Sequence, residues 1–188
     1  MGYYVPNSSE EISQVVKKIY LFSGMGADSR LFKNLGPIEG YEIIPLPYIH
    51  PQQSKTLGDY AALLADHYTF EEPYLLRGVS MGGMIAQEIA IKHPHRVKSL
   101  TSIMSTTGSR KLPKPSTAFS FKMLKRPPKD INKAVTYGLN VWRLIHGNYY
   151  PFDQQKVLSL ISRALQRGFN PAGNTRQLAA ILDSPDRT

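Results

Sequence analysis

The sequence predicts an α/β fold, a mainly parallel sheet with helices on both faces and a helical cap, and three observations predict it. Short β-rich runs alternate with helix-periodic segments over the first hundred residues, a serine set among glycines stands where one run gives way to a helix, and after Ser105 the strand signals cease. Strands alternating with helices form parallel sheets through right-handed crossovers.

In chain order, Lys18-Ile19-Tyr20-Leu21-Phe22-Ser23 reads as a buried strand that feeds the tight loop Gly24-Met25-Gly26. A second strand is expected at Tyr41–Leu46, halted by Pro45 and Pro47. From Thr56 to His67, Leu57, Tyr60, Ala61 and Leu64 recur at the spacing of one helix face. Pro73–Leu76 is a third strand, a helix follows from Met81 to Lys92 and stops before His93-Pro94, and Val97–Met104 is a fourth strand. Beyond it, residues 117–124, 130–146, 151–167 and 174–183 read as helices with no strand between them. Residues 1–108 are therefore expected to form the sheet-bearing core and residues 109–188 a cap over one end of it.

The 188-residue length suits one domain with a sizeable core. With no cysteine, disulfides, thiolate metal sites and cysteine nucleophiles are excluded. No apolar run approaches the roughly 18 residues of a membrane span, and no signal-peptide pattern opens the chain, so the expected location is cytoplasmic. Residues 1–100 carry 9 Lys and Arg against 10 Asp and Glu, whereas residues 101–188 carry 14 against 4. That basic half could attract anions, but its charges are scattered and match no nucleic-acid motif, so no nucleic-acid partner is expected.

The segment Gly78-Val79-Ser80-Met81-Gly82-Gly83 joins a strand to a helix. A serine on such a turn projects its hydroxyl above the carboxyl end of the sheet, and small neighbours let strand and helix pass closely. The helix N-terminus beside it suits a developing oxyanion. Alone, the motif could be a glycine-rich turn; its strand–turn–helix context favours Ser80 as a nucleophile. The backbone N–H groups of Met81 and Met25 are the expected oxyanion donors, with Gly24, Gly26 and Gly82 as binding positions. A dinucleotide site is disfavoured because the third glycine of the fingerprint falls at Ser29, and no Gly-Lys-Ser/Thr P-loop is present. No cofactor or metal is expected.

A serine hydroxyl needs a base. His93 and His95 lie at the far end of the helix that starts beside Ser80, roughly 18 Å away at 1.5 Å per residue. His67 belongs to a surface helix. His50, in a loop after a strand's carboxyl end, and His146, at the end of a cap helix, remain as candidates, each with the plainer reading of a surface polar residue. Asp28 near the first glycine loop reads better as a helix cap.

These residues resemble the α/β-hydrolase superfamily over nearly the whole chain. The segments Gly78–Gln87, His93–Gly108, Asn170–Gly173 and Arg176–Leu182 are similar to the esterase branch of aclacinomycin methylesterase-like hydrolases. The resemblance implies ester or related acyl-transfer chemistry at Ser80, with a small-molecule ester as substrate. Departures accompany it: Ser23-Gly24 stands where the family has His-Gly, Pro47–Pro51 replaces a glycine-rich loop, and Arg77 occupies a strand position that is usually apolar. In that family two further strands follow the cap, bearing the triad acid and, on the loop after the last, its histidine. The resemblance would enter the first of them at Asp183–Thr188, so the acid and histidine strands are expected to be missing and the fold C-terminally truncated.

Two functions stay open from the sequence. One is a serine hydrolase of carboxylic esters acting through Ser80, incomplete as given, with Trp142, Tyr149, Tyr150 and Phe152 as candidate acyl-pocket residues. The other is a non-catalytic remnant serving as a binding or interaction module. In either case an exposed sheet edge invites self-association.

Overall fold

The β-rich runs of the first half pair into one parallel four-stranded sheet in the order β2-β1-β3-β4: β1 is Lys17–Phe22, β2 Tyr41–Leu46, β3 Tyr74–Val79 and β4 Val97–Ile103. A computed structural model describes residues 17–47, 49, 56–71, 73–113, 115–125, 128–168 and 170–188. As far as they are described, these form two compact units, one from residues 17–49 and 56–107 and the other from 108–188.

In the first unit, β3 runs three residues further than its apolar signal. Its continuation through Arg77 and Gly78 is held by ladder pairing with Leu21 and Phe22 on one side and with Thr101 and Ser102 on the other. Arg77 is half-buried there. Two helices complete the unit, α1 (Leu57–His67) and α2 (Met81–Lys92). Helix α1 starts in a capping box: the Thr56 hydroxyl accepts from the Asp59 N–H and the Asp59 carboxylate from the Thr56 N–H. The expected apolar face, Leu57, Tyr60, Ala61 and Leu64, is buried throughout.

Helix α2 packs on α1 and lies along β1, β3 and β4. Leu21, Leu57, Leu76, Ile85 and Ile89 are almost wholly enclosed. Each side chain of this kind contributes about 1.5–3 kcal/mol of hydrophobic stabilisation. Tyr20 extends this core, its ring meeting Phe70 and Tyr74 edge-on while its hydroxyl accepts from the Glu71 N–H at 3.0 Å. By contrast, β4 is an edge strand exposed at every residue after Val97.

The second unit holds α3 (Thr117–Leu124), α4 (Ile131–His146), α5 (Gln154–Arg167) and α6 (Pro171–Leu182). Ser116, Asp130, Asp153 and Asn170 cap them through side-chain acceptors, a residue choice that satisfies otherwise orphaned N–H groups. Helix α6 begins three residues before its expected start. Asn170-Pro171 reads as a break in sequence but serves as N-cap and first helical residue, where proline's missing N–H costs nothing. Helices α4 and α5 pack together at Ala134, Gly138, Val157 and Ile161, and the Tyr137 hydroxyl donates to the Lys125 carbonyl at 2.7 Å.

Candidate active site

The strand order places a switch point between β1 and β3, because the chain leaves β1 toward β2 on one side and returns to β3 on the other. Open α/β sheets bind ligands in the crevice at the carboxyl ends of strands flanking such a point. Ser80 follows β3 and Ser23-Gly24 follows β1, so both stand at its mouth.

Ser80 has φ 56° and ψ −124°, a region that L-residues rarely adopt, and the half-buried residue makes no side-chain cap for α2. Strain of this kind costs of order 1–3 kcal/mol and persists only where the surroundings over-determine it. Here they do. A Cβ on Gly78 would overlap the backbone of Gly82 and Gly83, so β3 and α2 meet backbone to backbone. The Ser80 N–H donates to the Ile103 carbonyl at 2.8 Å, and the Met84 N–H donates to the Ser80 carbonyl at 3.2 Å.

The glycine loop after β1 lies directly against this turn. A Cβ built on Gly24 would sit 3.2 Å from the Ser80 Cβ and 3.8 Å from its Oγ. The loop is closed by the Ala27 N–H donating to the Gly24 carbonyl at 3.1 Å, and Gly26 takes φ 67°. Ser23, standing where the resembling family has histidine, is enclosed, and its hydroxyl donates to the Ala27 carbonyl at 3.2 Å. Its polarity is thus used to shape the loop. Met81 is fully buried at the N-terminus of α2, whereas Met25 is half-buried. Ser80, Gly24 and Gly82 are brought together; Gly26 stands two residues along the same loop and is exposed.

The described histidines stand at or just past the ends of helices. His93 caps the C-terminus of α2, the end opposite Ser80, and His67 ends α1 with its ring edge-on to Tyr68. His146 ends α4, where its Nε2 lies 3.0 Å from the Tyr150 carbonyl oxygen and its ring meets Phe152 edge-on. His50 lies outside the described residues. Asp28 caps the short 3-10 turn Ser29–Phe32 and is paired with Arg30. Of the aromatic candidates, Tyr149 and Tyr150 meet edge-on and are 88% and 71% exposed, so neither is a core residue. Sequence reasoning missed Ser105, whose hydroxyl donates to the Ser80 carbonyl at 2.8 Å; a serine just past a strand carries no signal of its own.

Comparison with known proteins agrees with this fold. The chain is similar to a hydrolase from Pseudomonas aeruginosa PA01 (16% identity, TM-score 0.60, 89% of this chain and 64% of that one). It is similar also to the 2-hydroxy-6-oxo-6-phenylhexa-2,4-dienoate hydrolase of Rhodococcus sp. strain RHA1 (16% identity, TM-score 0.59, 89% and 63%). A third likeness is to an acetylester hydrolase from Corynebacterium glutamicum (12% identity, TM-score 0.61, 87% and 61%). At these identities the likeness shows the fold, and the chain spans less than two thirds of the length of each. No curated protein matches it in sequence. The family model described as alpha/beta hydrolase fold matches residues 40–177, and the chain belongs to that family.

Proposed function

We propose that this chain carries the nucleophile of a serine hydrolase acting on carboxylic esters or related acyl compounds, with Ser80 as the attacking residue. The observation that carries the reading is the backbone of Ser80, held at φ 56° between β3 and α2. A turn that only reverses the chain here would be less strained with glycine at position 80. The abutting glycine loop and the hydrolase and acetylester hydrolase folds that the chain resembles support the same reading.

In this reading the Ser80 Oγ attacks the acyl carbon, and the oxygen that gains negative charge is received by the N–H groups of Met81 and Met25. Donors fixed beforehand in this way cost no reorganisation as charge develops. The proton leaving Ser80 passes to a base, for which His50 and His146 are the candidates within this sequence.

The test is incubation of the purified chain with a fluorophosphonate probe and mass spectrometry of the product, with Ser80→Ala as control. A stoichiometric adduct on Ser80, absent from the control, is the expected result. A folded chain that takes no adduct would mean an incomplete or inactive site, leaving either part of an enzyme or a binding module on a hydrolase fold.

A further inference from the structure

Both backbone polar groups of Ser80 are tied to the end of β4, to its last residue Ile103 and to Ser105 two residues beyond it. Its N–H donates to the Ile103 carbonyl at 2.8 Å, and its carbonyl accepts from the Ser105 hydroxyl, also at 2.8 Å. The same hydroxyl lies 3.0 Å from the Ile103 carbonyl oxygen, so its single proton has two acceptors within reach, the nearer being that of Ser80. Between them Met104 takes φ 51°, a second non-glycine residue in the left-handed region. Two strained turns thus brace each other across the end of the sheet. Gly83 completes the arrangement, because a Cβ there would overlap the Ser105 Oγ.

The consequence runs through one peptide unit. A trans peptide is planar, and its C=O and N–H point in opposite directions. The carbonyl that Ser105 holds is that of Ser80, and the N–H across the same plane is that of Met81. Fixing one aims the other. We infer that Ser105 is a positioning residue that locks the Ser80–Met81 peptide and thereby orients the oxyanion donor, without itself touching substrate. This inference rests on reading Ser80 as the nucleophile, and on no property of the helical unit.

The experiment combines labelling rate with stability. Ser105→Ala should slow fluorophosphonate labelling of Ser80 about tenfold or more, since a mis-aimed donor is lost mainly at the charged transition state. Ser105→Thr, which keeps a hydroxyl, should stay within about threefold of wild type. Melting temperatures of the four combinations of Ser80→Gly and Ser105→Ala give the second readout. Glycine adopts φ 56° without strain, so Ser80→Gly should raise the melting temperature by roughly 2–4 °C when Ser105 holds the turn. If Ser105 is the lock, its loss lets the serine turn relax, and the gain from glycine shrinks to less than half in the Ser105→Ala background. An equal gain in both backgrounds, or wild-type labelling of Ser105→Ala, overturns the inference. If wild type takes no label, the nucleophile reading fails, and the melting cycle alone decides whether Ser105 locks the turn: a reduced gain supports it and an equal gain overturns it.

Discussion

Gly82 rests on Phe22: a Cβ at position 82 would overlap the Phe22 carbonyl oxygen, so the first turn of α2 lies directly on the end of β1. The contact is backbone to backbone and cannot yield by rotating a side chain. It joins the turn that carries Ser80 to the strand that feeds the glycine loop, which is why the two arrive at one place.

Gly82→Ala is therefore expected to destabilise the protein by at least about 1–3 kcal/mol, the usual cost of overpacking. Fluorophosphonate labelling should fall with it. Urea unfolding followed by circular dichroism measures the first effect; unchanged stability would mean that the two backbones have room to part.

Ser80→Gly should act in the opposite sense on stability. Removing the Cβ from a residue at φ 56° is expected to stabilise by about 1 kcal/mol while abolishing labelling. Thermal unfolding and mass spectrometry on the same sample separate these outcomes, and a loss of stability would contradict the account of strain.

The capping box of α1 gives a prediction remote from the site. Thr56→Ala removes the acceptor for the Asp59 N–H and is expected to cost about 1 kcal/mol. Because α1 packs on α2, hydrogen exchange should quicken in both helices rather than in α1 alone.

In the helical unit, Gly138 lies inside α4 with Ile161 of α5 facing it. A Cβ there would lie 3.2 Å from the Ile161 Cδ1. Gly138→Ala gains helix propensity, about 1 kcal/mol, and loses part of it to crowding. Adding Ile161→Val removes Cδ1 but leaves Cγ2, which would lie 3.3 Å away, so Ile161→Val should cost less stability in the Gly138→Ala background than in wild type.

Lys18 supplies a pH dependence. Its Nζ lies 2.5 Å from Glu71 and 3.5 Å from Glu42, and the hydrogen bond to Glu71 raises its pKa above the ordinary lysine value. A raised folded-state pKa stabilises fully below the unfolded value, about 10.4, and the contribution is lost as pH climbs through the folded one. The urea midpoint of wild type should fall toward that of Lys18→Met as the pH rises above about 10.4. A difference that stayed constant through that range would mean that the charge on Lys18 adds nothing to stability.

The sequence by itself determined the alternation of strands and helices, the buried face of α1 and the strand-to-helix setting of Ser80. Each is a local matter: periodicity selects the face that is buried, and proline and glycine mark where an element must stop. It also gave Asp28 as a cap, because an aspartate before a short turn acts on its neighbours in sequence. The extra length of β3 through Arg77 has no apolar signal of its own and was expected only from the family resemblance, since ladder bonds to β1 and β4 hold it there. Nor was the start of α6, where the same Asn-Pro pair can end one segment or open the next. Ser105 lies 25 residues from the carbonyl it holds. A hydrogen bond between residues so far apart exists only once β4 has paired with β3 and brought the ends of both strands level. Tertiary structure alone decided that a serine unremarked in sequence would hold the main chain of the serine that sequence singles out.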